Sequence, residues 1–154
     1  MKRLNATQSL YRLIYCSLRV LAPPLDGPDT DLLDVVATAR AHNDSDGVTS
    51  VLLFTGTGYA HVLEGPRDTL EHTFDRIAED ERHSEVTMLS FTPTERRRFP
   101  EQPLVLIDSL PPGISDPLGG LKPDPVHDRP RLTTGSDIVR LIETILKMGA
   151  EAPA

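Results

Sequence analysis

The feature that most constrains the fold is the order in which strand-like and helix-like apolar patterns alternate over the first 108 residues. Short apolar runs typical of strands occur at residues 10–17, 48–54, 59–64, 86–92 and 104–108. Between them, helical spacing of apolar residues covers about 31–42 and a second stretch that ends near residue 80. The order β-α-β-β-α-β, followed by one more strand, predicts an α+β fold of the ferredoxin-like type, with two helices on one face of the sheet.

Local signals indicate where these elements begin and end. Asp29 and Asp31 supply carboxylates that can cap the first helix. The polar residues 43–47 predict a turn after that helix, and Gly56-Thr57-Gly58 predicts a hairpin between the second and third strands. We expect Asp80-Glu81-Arg82-His83 at the end of the second helix, where its side chains either complement the helix dipole or ring the mouth of a cleft.

The composition changes near residue 111, and the chain becomes rich in Pro, Gly and Asp up to residue 130. This composition predicts either a linker or a strap that is ordered by docking, and in both cases a segment outside the core. A final amphipathic helix is expected over about 136–148, with an apolar stripe made of Ile138, Leu141, Ile142, Ile145 and Leu146. The stripe covers either the free face of its own sheet or a partner subunit. We therefore predict a domain at 10–108, a strap at 109–134 and a C-terminal helix at 135–149.

Composition excludes several classes of function. The 154 residues include 16 Lys+Arg against 23 Asp+Glu, a formal net charge of -7, so no basic excess favours nucleic-acid binding. No apolar run approaches the roughly 20 residues of a membrane helix. Arg12 interrupts the first apolar stretch, so we expect no signal peptide. Cys16 is the only cysteine, which excludes an intramolecular disulfide and favours a cytoplasmic, reducing location.

Three polar side chains are predicted to converge beneath the two helices. Alternation along neighbouring central strands places Tyr15 and His61 on one face, and Asn43 arrives from the end of the first helix. A few polar groups in an apolar cleft are typical of a small-ligand site. Each residue also has a structural interpretation, as a core tyrosine, a hydrogen-bonded core histidine or a helix C-cap. Cys16 points to the opposite face and is excluded from this site.

Other motifs point to no further chemistry. The histidines lack the spacing that would place two metal ligands on one helix face, so zinc is not expected. The glycine-rich nucleotide-binding patterns and the G-x-S-x-G hydrolase pattern are absent from the sequence. The run Arg96-Arg97-Arg98 is interpreted as a solvated loop.

A set of short motifs in a fixed order resembles the BLUF family, the blue-light sensors that use FAD. The motifs are Leu13-Ile14-Tyr15-Cys16-Ser17, Ala41-His42-Asn43, Gly47-Val48-Thr49, Val62-Leu63-Glu64-Gly65, Asp80-Glu81-Arg82-His83 and Arg97-Arg98-Phe99. The resemblance covers about residues 10–108. It implies a ferredoxin-like domain that holds the isoalloxazine ring between its two helices.

The resemblance also implies roles for the site residues. Tyr15 would be the photochemical electron and proton donor, and Asn43 a carboxamide contact to the flavin ring. Arg82 and His83 would lie near the ring or on the entry side of the cofactor. The family is not enzymatic in the turnover sense, so the implied partner is a downstream protein. A homo-oligomer is expected, with neither nucleic acid nor membrane as a partner.

The sequence departs from the family at its switch position. His61 stands where the family has a glutamine that bridges the tyrosine hydroxyl and the flavin edge. A neutral imidazole offers one donor and one acceptor, but it cannot exchange a carbonyl for an amino group as a carboxamide can. An imidazole at this position can, however, relay a proton from Tyr15 to the flavin. Ser50 replaces a family glycine, and Gln102 and Leu104 replace the family's tryptophan and methionine region.

Three functions are therefore weighed at this point. The first is a BLUF-type sensor that binds FAD, although the residues alone do not separate FAD from FMN. The alternative is a BLUF-derived interaction module that has lost photochemistry or flavin because of His61. The third is a small enzyme that uses His61 as a general base. No nucleophile or oxyanion motif accompanies that histidine.

Overall fold

The computed structural model describes residues 9–20, 24–118 and 134–151. In chain order the elements are β1 (Leu10–Arg19), α1 (Thr30–Asp46), β2 (Thr49–Phe54), β3 (Gly58–Pro66), α2 (Arg67–Ala78), β4 (His83–Pro93), β5 (Val105–Ile107) and α3 (Gly135–Glu151). The strand order is β4-β1-β3-β2-β5. All neighbours pair antiparallel except β2 and β5, which are parallel. The predicted α+β, ferredoxin-like fold is confirmed.

One face of the sheet is covered by α1 and α2. Leu13 and Leu63 of the two central strands pack against Leu70 of α2. Leu52 of β2 packs in a second cluster with Leu32 of α1. These two clusters hold the helices side by side over the sheet and leave a cleft between them.

The two central strands of the sheet, β1 and β3, pack closely against each other. Tyr15 lies opposite His61 in the antiparallel register of these strands. At the end of the same pairing, a Cβ added to Gly58 would lie 2.1 Å from the carbonyl oxygen of Ser17. Only glycine allows this approach, so Gly58 fixes where β3 begins.

The other face of the sheet is covered by α3. Ile138 and Ile142 are fully buried in one cluster with Ile14, Val51 and Val62. In this structure the apolar stripe of α3 therefore lies on the chain's own sheet. The division of the chain at residues 108 and 134 stays a prediction. No helix in residues 9–20, 24–118 and 134–151 is both long and apolar enough to cross a bilayer.

The predicted turn at residues 43–47 is largely wrong, because α1 continues to Asp46. The helix ends only at Gly47, which adopts φ 71° and donates its backbone N–H to the carbonyl of Asn43. Polar residues are tolerated in the last turn of a helix, whereas a glycine readily adopts the left-handed conformation that ends the helix. As a result, Asn43 sits within the helix.

The segment 80–83 lies after the end of α2, and Asp80, Arg82 and His83 line the cleft beside it, which agrees with the second interpretation of this segment. The helix ends at Ala78, and His83 is already the first residue of β4. Asp80 accepts hydrogen bonds from both the backbone N–H and the guanidinium of Arg82. Hydrogen bonds from the backbone to an aspartate side chain commonly compete with those of a helix, and here they favour a turn.

The strap is not entirely outside the core. Leu118 is 1% exposed and joins the cluster beneath α3. Asp116 accepts hydrogen bonds from the Thr57 hydroxyl and from the Leu118 backbone N–H, which ties the strap to the β2–β3 turn. The prediction of a wholly peripheral strap is therefore wrong at Leu118. Residues 119–133 of the strap lie outside the described residues.

The prediction of a solvated loop is wrong for Arg97, whereas Arg96 and Arg98 on either side of it are exposed. Arg97 donates to the hydroxyl of Thr49, to the carbonyl of Gly47 and to the carbonyl of Glu64. These acceptors lie where β2 begins and β3 ends, and a local sequence pattern does not reveal that they meet. Arg97 therefore closes the end of the sheet.

A buried carboxylate anchors the same region. Glu64 has no exposed surface and accepts from the guanidinium of Arg12 at 2.9 Å. It also accepts from the backbone N–H groups of Arg98 and Phe99, at 3.0 and 2.8 Å. One carboxylate thus holds β1, β3 and the loop before β5 together.

We expect Glu64→Ala to lower the free energy of unfolding by about 3 kcal/mol, because it leaves a guanidinium and two backbone N–H groups without their acceptor. The matched control is Glu71→Ala, which removes an exposed ion pair with Arg67. The control is expected to cost less than about 1 kcal/mol. Urea denaturation of both variants measures the difference, and equal losses would contradict this account.

Candidate functional site

The cleft between α1 and α2 is the site that the fold creates. Val35 and Ala39 of α1 and Ile77 of α2 line its walls, and Tyr15 and His61 rise from the sheet below. Its non-atom space is about 620 Å³, counting the open mouth.

The floor of the cleft carries a buried hydrogen bond between two side chains. The Tyr15 hydroxyl lies 3.0 Å from His61 Nδ1. Burial, with smaller contributions from Tyr59 and Asp80, raises the pKa of the Tyr15 phenol well above its ordinary value. Burial, with a smaller contribution from His83, lowers the pKa of His61 to about 3. Both partners are therefore neutral near pH 7.

The second ring nitrogen of His61 is left without a partner. His61 is 1% exposed, and its Nε2 makes no hydrogen bond within the described part of the chain. A buried polar atom in this state costs about 1–3 kcal/mol. If the Tyr15 O–H donates to Nδ1, Nε2 carries the hydrogen and offers a donor; in the opposite tautomer it offers an acceptor. Because His61 lines the cleft, Nε2 suits one polar atom of a ligand.

Asn43 lines the same cleft from the last turn of α1. Its amide nitrogen donates to Ser50 Oγ at 3.1 Å and to the Pro103 carbonyl at 3.0 Å. The C-cap interpretation is wrong, because Gly47 performs that role. The side chain is instead held by β2 and by the loop ahead of β5.

His83 has both ring nitrogens engaged within the protein. Nε2 lies 2.6 Å from the Ile77 carbonyl and Nδ1 lies 2.8 Å from Ser17 Oγ. A carbonyl can only accept, so Nε2 carries the hydrogen. The ring also packs edge-on against Tyr15, with centroids 6.3 Å apart. His83 therefore ties the end of α2 to β1 beside the tyrosine.

Arg82 lines the cleft as half of an ion pair. Its guanidinium donates to both oxygens of Asp80, and this pairing lowers the pKa of the Asp80 carboxyl. Both side chains are about one-third exposed. The positive charge of Arg82 is therefore largely neutralised by Asp80, without any ligand.

The structure brings all five predicted site residues to one cleft, namely Tyr15, Asn43, His61, Arg82 and His83. Their functional roles stay predictions. Sequence reasoning missed Tyr59, which also lines the cleft, although it shares a strand face with His61. It also missed the hydrogen bonds of Ser50 and Pro103, which no local pattern reveals. Within residues 9–20, 24–118 and 134–151 no cluster of three His, Cys, Asp or Glu side chains could hold a metal ion.

The arrangement has a definite chemical capacity. It can enclose a planar apolar ligand, meet it with the unpartnered Nε2 of His61, and move a proton between the Tyr15 hydroxyl and His61 Nδ1.

Comparison with known proteins gives a family match. Residues 10–104 match the family described as BLUF, sensors of blue-light using FAD. The photoactivated adenylate cyclase subunit beta of Euglena gracilis is 32% identical over 72 residues, which are 47% of this chain and 8% of that protein. The blue light- and temperature-regulated antirepressor BluF of Escherichia coli is 30% identical over 83 residues, 54% of this chain and 21% of that protein. The chain thus spans less than a quarter of either relative.

Solved structures agree with the fold. The dark state of BlrB, a BLUF protein, superposes with a TM-score of 0.68 at 27% identity and covers 92% of this chain and 98% of that chain. The BLUF domain of BlrP1 has a TM-score of 0.56 at 35% identity, with 65% of each chain covered. The ground state of BlsA, at 22% identity, supports the fold alone with a TM-score of 0.68.

The buried neutral His61 predicts a pH-dependent stability. Unfolded histidine titrates near pH 6.5, whereas burial lowers the folded pKa to about 3, so the unfolded chain binds one more proton between these values. The free energy of unfolding therefore falls as the pH drops through this window, by up to about 1.4 kcal/mol per pH unit.

We expect His61→Gln to show a shallower slope than the parent between pH 4 and 6.5, since the substituted side chain does not titrate. Urea denaturation at several pH values measures both slopes. Parallel curves would show that His61 is protonated equally in the folded and unfolded states.

Proposed function

This chain belongs to the BLUF family, the sensors of blue light using FAD, and we propose that it is a photoreceptor that binds FAD between α1 and α2 and signals to a partner protein. The observation that carries this proposal is the buried Tyr15–His61 hydrogen bond, whose far end, His61 Nε2, is unpartnered among the described residues of the cleft.

The cleft residues fit a flavin. Apolar side chains of α1 and α2 face each other across the space, which suits a flat aromatic ring. The buried Nε2 suits a polar atom on the ring edge. When bound, the flavin supplies the absorption of blue light and an excited state that accepts an electron.

Tyr15 and His61 then form a proton relay. A phenol that has given up an electron is strongly acidic, so its proton moves to His61 Nδ1, 3.0 Å away. The imidazole, now protonated at both nitrogens, releases the Nε2 proton towards the cleft. The ring needs no rotation for this transfer, because its two nitrogens face the two partners. His61 would therefore conduct a proton where a glutamine would rearrange its amide.

The other predicted residues take supporting roles in this proposal. Asn43 would be the carboxamide contact to the ring. His83 would hold Tyr15 in place, because its nitrogens bind Ser17 and the end of α2. Arg82, paired with Asp80, would lie on the entry side of the cofactor.

The competing functions receive less support. The family match does not favour an interaction module without flavin. A pKa of about 3 makes His61 a poor general base near neutral pH, which argues against the small enzyme.

The output of the sensor is also a proposal. BLUF domains are sensory modules, and two relatives carry names of a cyclase subunit and an antirepressor. We propose that this chain acts on a separate downstream protein, forms a homo-oligomer, functions in the cytoplasm and is not itself an enzyme. Its net charge of -7 argues against nucleic acid as the partner. The proposed division at 10–108, 109–134 and 135–149 assigns the contact with the partner to the C-terminal part.

The first test is the absorption spectrum of the protein loaded with FAD, recorded before and after blue illumination. We expect bound flavin and a small reversible red shift. Tyr15→Phe is expected to bind flavin as the parent does and to lose the shift, since it lacks the donor hydroxyl. An unchanged shift in Tyr15→Phe would contradict the role of Tyr15, and absence of flavin bands in the parent would overturn the proposed function.

A second test separates the relay from a rotating amide. His61→Leu removes both nitrogens and is expected to abolish the red shift while flavin remains bound. His61→Gln, the matched variant, restores an amide and is expected to give a red shift without the histidine. If His61→Leu keeps the parent's red shift, the relay is wrong.

A further inference from the structure

A groove on the face of the sheet that α3 covers carries polar groups that the fold leaves unused. It lies on the opposite face from the cleft between α1 and α2, and the two spaces share no lining residue. The groove is lined by Arg12 of β1, by Ser90 and Thr92 of β4, and by Ser136 and Arg140 of α3. We call this space the α3 groove.

The α3 groove is built on regular elements that pack directly on each other. Ile14 is buried beneath α3, and the strand register places Ser90 opposite Ile14, so Ser90 faces α3 as well. A Cβ added to Gly135 would lie 2.8 Å from Ser90 Cβ, so the first turn of α3 rests on β4. Ser136 and Arg140, four residues apart, share one flank of the helix. The groove is therefore formed before any ligand binds, which lowers the entropic cost of binding.

Several polar side chains of the α3 groove have no partner. Among the residues that the structure describes, the hydroxyls of Ser90, Thr92 and Ser136 make no hydrogen bond. The Arg140 guanidinium likewise makes no hydrogen bond and no ion pair there. The carboxylate of Asp137, on the same helix, instead accepts a hydrogen bond from the backbone at the helix start. The groove therefore offers unused hydrogen-bond donors from both of its walls.

The α3 groove is positively charged in a protein whose formal net charge is -7. Arg12, Arg98 and Arg140 line it, against a single carboxylate, that of Glu143. Arg98 pairs with Glu143, and Arg12 pairs with the buried Glu64 through Nε and Nη2. The Nη1 group of Arg12 has no partner among the described residues. Arg12 and Arg140 therefore still have N–H groups with which to bind an anion.

The α3 groove lies beside an open edge of the sheet. β4 is the last strand in the strand order, so its outer edge has no neighbouring strand within the described part of the chain. From Ser90 to Pro93 the strand keeps an unbroken register with β1. An extended peptide can add to such an edge through its backbone, and every second side chain then points to the face that α3 covers. The open edge favours a peptide over an isolated anion as the ligand.

We propose that the α3 groove binds an extended acidic segment of a partner protein, with its carboxylates on Arg12 and Arg140 and its backbone along the outer edge of β4. Arginine suits this role because its planar fork of N–H groups meets both oxygens of a carboxylate. The three unpartnered hydroxyls of the groove add further donors. The inference goes beyond the proposed light reaction and does not depend on a bound flavin.

The test uses a rhodamine-labelled peptide of four Glu-Thr repeats, in which the acidic side chains share one face when the peptide is extended. Its binding to the full chain is measured by fluorescence anisotropy at about 0.1 M NaCl, where the Debye length is about 10 Å. We expect saturable binding, which a matched peptide of Gln-Thr repeats lacks. Arg140→Glu is expected to weaken binding at least about 10-fold, because it turns an attraction into a repulsion. The matched control, Arg67→Glu, lies on α2 at the opposite face and is expected to weaken binding less than about 3-fold.

A second readout locates the peptide on the ¹⁵N-labelled parent. We expect the backbone signals of Ser90, Thr92 and Ser136 to shift when the peptide is added. Amides on the outer edge of β4 are expected to exchange more slowly with water, since they gain hydrogen bonds from the peptide backbone. Inorganic phosphate at the same concentration is not expected to displace the peptide, because an isolated anion gains nothing from the strand edge.

Four results would overturn the proposal. The first is a parent that does not bind the Glu-Thr peptide saturably. The second is an equal loss of binding in Arg140→Glu and Arg67→Glu, which would indicate an effect of net charge alone. The third is displacement of the peptide by an equal concentration of phosphate, which would indicate a site for isolated anions. The fourth is a parent dimer in sedimentation that Arg140→Glu dissociates, which would assign the groove to a second copy of the chain. None of these measurements involves the flavin, so failure of the light reaction is distinguishable from failure of this proposal.

Discussion

The site depends on a single hydrogen bond between the two central strands, which joins the Tyr15 hydroxyl and His61 Nδ1. The antiparallel register of β1 and β3 places these residues opposite one another, and burial keeps both neutral. Because burial moves the pKa values of the phenol and the imidazole apart, the proton rests on the phenol until the phenol is oxidised. The neutral Tyr15–His61 pair is therefore the resting state of the site, and only an electron acceptor in the cleft would change its protonation.

In the part of the chain that the structure describes, buried side-chain polar atoms other than His61 Nε2 have a hydrogen-bond partner, which makes this exception informative. Glu64 and the amide nitrogen of Asn43 each hold separate segments together through two or more hydrogen bonds. His61 Nε2 is the buried side-chain polar atom left without a partner in the described residues. Since native proteins rarely leave such atoms unpaired, its place in the cleft points to a ligand.

Sequence periodicity predicted the strand order, the helix-covered face and the meeting of Tyr15 with His61, because alternation along a strand is set by local geometry. It failed where tertiary contacts decide the outcome. The end of α1 depends on the glycine cap at Gly47, and Arg97 is satisfied by carbonyls distant in sequence. The orientation of Asn43 depends on Pro103, sixty residues away.

The most direct test of the account is a light-minus-dark infrared difference spectrum of the flavin-loaded protein with ring-¹⁵N-labelled histidine. A transient proton on His61 must shift ring vibrations, so label-sensitive histidine bands are predicted in the parent. Those bands should be absent from a protein in which His61 is replaced by glutamine. A parent that undergoes its light reaction without any label-sensitive histidine band would contradict the relay through His61.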